Sequence, residues 1–405
     1  MNCRVCDKSL KSFMSFGKQP IANCFIDPGK IGSEYFFEMK VGVCNNCGMF
    51  QLIEQPLPEM MFHEEYAFFS QTSKGMQIHF EEFANFVTKE YLSEEDPFVV
   101  ELGSNDGIML RHFKNAGYRH LGVEPSDNVA EIARKDGVNT LTAFFGEETA
   151  NQIKKEYGQA DAILSANVMC HIPDINGIAN GVAALLKPNG VLIFEDPYLG
   201  DVIEKTSYDQ IYDEHVFLFS AISVKNAFEP HGLELIDVLP QSTHGGSMRY
   251  VLGRTGANKV SPAVSERLTW EQNFGLTDPE NFESFRDDCE QSRDKLVALL
   301  EDLKSKSKRV VGYAATSKST TILNYCDIGP ELIEYISDTT PIKQGKLTPG
   351  THIPVKAYEE FSNNMPEYAL LFAWNHAKEI FENEKEFKEK GGKWITFVPE
   401  VGFIG

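Results

Sequence analysis

The chain has 405 residues, 42% of them hydrophobic and 24% charged, which is enough apolar mass for two or three globular units of about 150 residues each. Its 38 Lys and Arg against 59 Asp and Glu leave a net charge of −21, which argues against a nucleic acid polymer as partner, since that affinity comes from cations neutralising phosphates. No apolar run reaches the ~18 residues that span a bilayer, and MNCRVCDKSL is polar from its second residue, so a cytoplasmic protein with no membrane association is expected.

In chain order, residues 1–60 read as a small metal-binding module. Cys3 and Cys6 form one CxxC pair and Cys44 and Cys47 another, and Gly48 follows as a tight turn requires. Without a secretory leader this spacing points to a structural Zn²⁺ rather than to disulfides. Two thiolates from each turn complete a tetrahedral sphere and leave no position for water or substrate. Cys24, Cys170, Cys289 and Cys326 stand alone and read as small buried hydrophobes. Residues 73–92 carry Met76, Phe80, Phe83, Val87 and Tyr91 at helical spacing.

From Phe98 the pattern alternates. Strands are expected at Phe98–Leu102, His120–Val123, Ala162–Ser165 and Val191–Glu195, with helices near 107–116, 127–136, 147–157 and 175–187. That alternation predicts an α/β domain over 61–255, a parallel sheet covered by helices on both faces. Leu233–Leu239 and Met248–Arg254 extend it as an antiparallel edge. A polar stretch with a long helix over Phe282–Leu303 opens residues 256–405, and a second, shorter alternation from Arg309 predicts a smaller Rossmann-like α/β unit with a helix at 376–389.

The chemical motif at the end of the first strand is Glu101-Leu102-Gly103-Ser104-Asn105-Asp106-Gly107. Gly103 and Gly107 allow backbone to approach a ligand. The next strand ends in Glu124, followed by Pro125, where an acidic side chain accepts ribose hydroxyls. Ligands of such sheets sit beyond the carboxyl ends of the strands, so Glu101, Glu124 and Asn167 are expected to converge there. This turn and its acidic second strand resemble the S-adenosylmethionine-dependent class I methyltransferases. The resemblance implies that Gly103 and Gly107 border the methionine part, that Glu124 holds the ribose, and that Asn105 and Asp106 belong to the same cofactor site. Phe144 and Phe145 fall where adenine packs, or belong to the core.

The densest group of proton-transfer side chains is Tyr212-Asp213-Glu214-His215, with His171 entering from a neighbouring strand end. With the zinc knuckles, Gln19–Asn23, Cys170-His171-Ile172-Pro173, Thr243–Arg249 and Asp338–Pro354, the whole chain resembles the nucleotide-sugar C-methyltransferases, typified by C-3 methylation of deoxysugars. The family's glycine-rich lysine turn is replaced here by Ala314-Ala315-Thr316-Ser317-Lys318-Ser319. The resemblance implies a nucleotide-diphosphate 4-keto deoxysugar as partner, with S-adenosyl-L-methionine as cofactor. It makes His215 the base that forms an enolate at C-3. Glu214 would orient that base or a sugar substituent, and Tyr212, His171 and Tyr66 would bind the oxyanion or position the ring. His244, Gly245, Gly246, Arg249, Lys318 and Lys343 are candidates for the substrate and its pyrophosphate, or, for the cations, solvated surface charges. Because the chain is acidic, its cations are expected to gather in one cleft. A small-molecule O-, N- or C-methyltransferase with a non-nucleotide acceptor is the alternative. A monomer or small homo-oligomer is expected.

Overall fold

Strand pairing sorts the chain into three sheets. The computed structural model describes residues 1–61 and 74–405. Tyr66 lies outside the described residues.

The first sheet runs, in spatial order, Lys11–Pro20, Phe36–Val43, Phe50–Leu52 and Phe217–Leu218, antiparallel throughout. Phe37, Met39, Val41 and Val43 alternate along the second strand and are all buried, the pattern of one covered face. The fourth strand comes from far along the chain. Phe50 pairs with Leu218, and the Leu52 N–H donates to the Val216 carbonyl at 2.9 Å. A two-residue strand so distant in sequence leaves no periodicity to read, and the sequence gives no sign of it.

The second sheet has seven strands in the order Leu233–Gln241, Ser247–Arg254, Leu186–Pro197, Ala160–Ala166, Phe98–Leu102, Arg119–Glu124 and Thr140–Thr142. Its last five members are parallel, and the first two form the antiparallel edge expected from sequence. Strand order reverses between Phe98–Leu102 and Ala160–Ala166, which opens a crevice at their carboxyl ends. Helix Lys74–Tyr91 buries Phe80, Phe83 and Val87 against this domain's core.

The third sheet, Val355–Lys356, Ile336–Ser337, Val310–Tyr313, Tyr368–Leu371, Lys393–Thr396 and Gly402–Ile404, is parallel except for its last strand. A 27-residue helix, Pro279–Ser305, connects it to the rest. Phe282 on that helix packs 5.2 Å from Phe13 and 6.3 Å from Phe50 of the first sheet, and one continuous core joins all three sheets.

Two helical expectations change. The polar stretch holds a second helix, Pro262–Phe274, which stops at Gly275 in the left-handed region. The helix expected at 376–389 is two, Ala377–Asn383 and Lys385–Glu389. Glu384 between them is buried and accepts hydrogen bonds from the Tyr313 and Tyr358 hydroxyls, which draws the backbone out of helical register. Among the described residues no helix is long and apolar enough to cross a membrane.

Candidate active site

A cavity of about 370 Å³ lies at the carboxyl ends of the central strands. The end that holds the residues expected at the cofactor is built on one sheet. Leu102 and Gly103 end the first strand, Glu124 and Pro125 end the second, and Asn105, Phe144, Phe145 and Asn167 complete the wall. Glu124 accepts the Asn105 N–H at 3.0 Å and the Ser126 N–H at 2.8 Å, so its carboxylate is fixed in direction. Burial raises its pKa, and these backbone donors oppose the shift. Asn105 and Asn167 both take positive φ, which asparagine tolerates better than most residues. Phe144 is exposed, 59% of its surface facing solvent, and is available to a flat ligand; Phe145 is partly buried against the core.

Three expected cofactor residues sit elsewhere. Glu101 is fully buried beneath the cavity, and burial, then the Asp106 and Glu124 carboxylates, push its pKa well up. Asp106 and Gly107 are not on the wall either. The glycines serve packing first: a Cβ at Gly103 would strike Val168 and one at Gly107 would crowd Val138 and Ala133, while both residues have positive φ.

The other end brings together His171, Tyr212, Glu214, His215 and His244. His215 Nδ1 lies 2.7 Å from the Gln210 carbonyl, which only accepts, so Nδ1 carries the proton. Nε2 is then the basic nitrogen and accepts the Tyr212 hydroxyl at 3.0 Å. The His171 and His215 rings stack at 5.3 Å, and Cys170 adds a thiol within 4.8 Å of their ring nitrogens. Burial, then the neighbouring His171, His244 and Lys318, push the His215 pKa well below its ordinary value, and burial alone takes His171 down to about 4. The histidines are therefore neutral at neutral pH.

The expected cations divide. Lys318 lines the cavity at the start of helix Ser317–Tyr325, donating to Asn375 at 3.0 Å and lying 5.2 Å over the Trp374 ring. Burial lowers its pKa, with Asp209 opposing. His244 is also in the wall, with φ of 55° and a buried Nε2 that has no hydrogen-bond partner among the described residues. Arg249 is not: it is committed to buried Glu195 at 2.8 and 3.1 Å and lies 3.7 Å over Phe83. Lys343 is likewise outside the wall, donating to the Ala315 carbonyl at 2.8 Å and so bracing the loop before Lys318. Gly245 and Gly246 are off the wall too; side chains there would collide with Trp374 and Asp201.

Several wall residues are not among the site candidates expected from sequence. Asn23 enters from the first module, and Thr316, Ser317, Asn375 and His376 from the third sheet's loops. Asn23 Nδ2 donates to Glu214, and its Oδ1 accepts the Ser317 hydroxyl at 2.9 Å. Only the position of Asn23 inside the Gln19–Asn23 block pointed at it.

The metal cluster matches its expectation. Cys3, Cys6, Cys44 and Cys47 place four sulfurs within 4.8 Å of one another, the Cys3–Cys47 and Cys6–Cys44 pairs at 3.5 Å, as one tetrahedral ion ~2.3 Å from each requires. Gln51 donates to Cys3 Sγ at 3.1 Å, while Asn176 and Asn226 of the central domain donate to the Val5 and Cys47 carbonyls. The lone Cys170, Cys289 and Cys326 are buried as expected; Cys24 is only partly so.

Comparison with known proteins adds three matches to family models: a zinc binding domain over 3–62, a methyltransferase domain over 76–238 and a C-methyltransferase C-terminal domain over 242–399. The chain is 36% identical to the C-methyltransferase NovU of Streptomyces niveus over 99% of its length and 96% of that protein's. It is 26% identical to a ubiquinone biosynthesis O-methyltransferase of Hydrogenovibrio crunogenus over 26% of this chain and 45% of that protein. Among solved structures, magnesium protoporphyrin IX methyltransferase of Synechocystis PCC 6803 with bound SAM aligns with 44% of this chain and 80% of that one, at 13% identity and a TM-score of 0.34.

Proposed function

Because the chain belongs to the S-adenosylmethionine-dependent C-methyltransferase family, with its zinc-binding N-terminal domain, we propose that its acceptor is a nucleotide-linked 4-keto deoxysugar, methylated at C-3 in the cytoplasm. S-adenosylmethionine, when bound, supplies an electrophilic methyl group for a carbanion-like carbon. The remaining task of the protein is to create that carbon, and a 4-keto group makes the neighbouring C-3 proton removable.

The observation that carries this reading is the fixed tautomer of His215. With Nδ1–H bound to the Gln210 carbonyl, Nε2 has the lone pair that takes the C-3 proton. The Gln210 carbonyl then steadies the imidazolium that results. As Nε2 becomes protonated it ceases to accept, and the Tyr212 hydroxyl is released to donate to the enolate oxygen. Glu214 balances the new positive charge or binds a sugar substituent. Glu124, Asn105 and Asn167 hold the cofactor's ribose and methionine ends, with Phe144 against the adenine. Lys318 receives the pyrophosphate, with neutral His244, Thr316 and Ser317 as hydrogen-bonding neighbours; of the cations expected to gather in one cleft, Arg249 and Lys343 are outside the wall and Lys318 lines it. Tyr66 is assigned to the same acceptor group on sequence alone.

The test is an incubation with methyl-labelled donor and a 4-keto nucleotide sugar, the product read by NMR. Label on C-3 is the expected outcome; label on oxygen or nitrogen, or none, overturns the acceptor assignment. In D₂O without donor, exchange of the C-3 proton that disappears in His215→Ala isolates the base step.

A further inference from the structure

We propose that Asn23, in the zinc-binding module, is a positioning residue for this chemistry: it orients the Glu214 carboxylate beside His215. The inference rests on the role given above to the 212–215 cluster. The amide is engaged at both ends. Asn23 Nδ2 donates to a Glu214 carboxylate oxygen, and Oδ1 accepts the Ser317 hydroxyl at 2.9 Å. The Ser317 hydroxyl thus locks the amide, and the amide locks the carboxylate. The three residues come from three different sheets' modules and all line the cavity.

The backbone around Asn23 is held with the same logic. The Ala22 N–H donates to Asp213 at 3.0 Å, and the Ala22 carbonyl accepts the Thr320 hydroxyl at 2.9 Å. Thr321 on the same helix donates to the Ile211 carbonyl at 2.8 Å. The Ala22–Asn23 turn is therefore a wedge between helix Ser317–Tyr325 and the loop that bears His215. Glu214 is buried and its side chain has three rotatable bonds; a fixed donor removes that freedom before substrate arrives.

The test is a set of single-turnover measurements on the zinc-loaded enzyme. Asn23→Ala should lower the methyl-transfer rate by about 10²-fold, the scale of a 1 Å misplacement, with S-adenosylmethionine affinity by calorimetry within about twofold. In a Glu214→Ala background the same substitution should cost almost nothing further. Two multiplying losses would overturn the proposal, as would a raised KM for the sugar with unchanged kcat, which would make Asn23 a binding residue. Asn23→Asp, nearly isosteric, covers the case in which the alanine variant folds poorly. Two facing carboxylates share a proton more readily at low pH, so its rate should recover as pH falls, unlike the wild type. An unaltered pH profile would overturn the proposal. If Glu214→Ala alone has wild-type rate, the catalytic reading of the cluster fails instead, whatever Asn23 does.

Discussion

The cofactor end of the cavity is furnished by consecutive strand ends of a single sheet, whereas the acceptor end is assembled from three. Glu124 ends one strand of the central sheet, and Asn105 and Asn167 lie in the turns that follow two others, so all three owe their placement to its switch point. His215 sits between a turn fixed by Asn23 and a strand, Phe217–Leu218, that belongs to the zinc module's sheet, and it faces Lys318 from a third. On the proposed assignment of the two ends, the difference means that methyl-donor binding is local to one domain, while acceptor chemistry depends on how all the modules meet. Perturbations should separate the two ends accordingly.

Removing zinc, by chelation or by Cys44→Ser, should give the largest separation. Structural zinc contributes roughly 10–16 kcal/mol to such modules, and its loss should abolish turnover and lower the melting temperature while donor affinity measured by calorimetry changes far less. Parallel loss of donor binding would break the comparison. His215→Ala should lower kcat by about 10²–10⁴-fold with donor affinity intact. Glu124→Ala is the mirror image: donor affinity should fall about 10- to 100-fold, the worth of hydrogen bonds to a charged group, and sugar KM should hardly move. Lys318→Ala should raise the sugar KM about tenfold without touching donor affinity. The smallest effect is in the pH profile. Burial, then its histidine and lysine neighbours, hold the His215 pKa well below its ordinary value of 6.5, so the base stays deprotonated across neutrality. Rate should therefore fall with acid only below pH 6.5; an acid limb centred above that value would assign the base elsewhere.

What could be read in advance follows the same division. Periodicity and turn chemistry report local backbone preference; they point to the longer parallel strands, the antiparallel edge and the two zinc knuckles, but not to the short parallel strands Thr140–Thr142 and Val355–Lys356. Side-chain commitments between distant segments leave no such trace. Arg249 looked like a free cation until Glu195 and Phe83 were seen to occupy it. Lys343 looked similar, yet it ties down the Ala315 carbonyl. Glu101 belongs to the motif but not to the wall, because a strand's alternation turns it under the cavity. Asn23 is marked in the sequence by its place in the Gln19–Asn23 block and by nothing in its chemistry: an asparagine in a loop is ordinary until both ends of its amide are accounted for.

The strand Phe217–Leu218 has a consequence for how the protein is made. The zinc module is synthesised first, but its sheet lacks an edge until the chain has grown well past the whole parallel core. At ~5–20 residues per second, the Phe50–Leu52 strand waits on the order of ten seconds or more with one side unpaired. During that interval it is a template for any extended segment nearby. A nascent chain paused before residue 217 should therefore be the form that most needs a chaperone, and one cut at the boundary between the first two modules should aggregate through that edge.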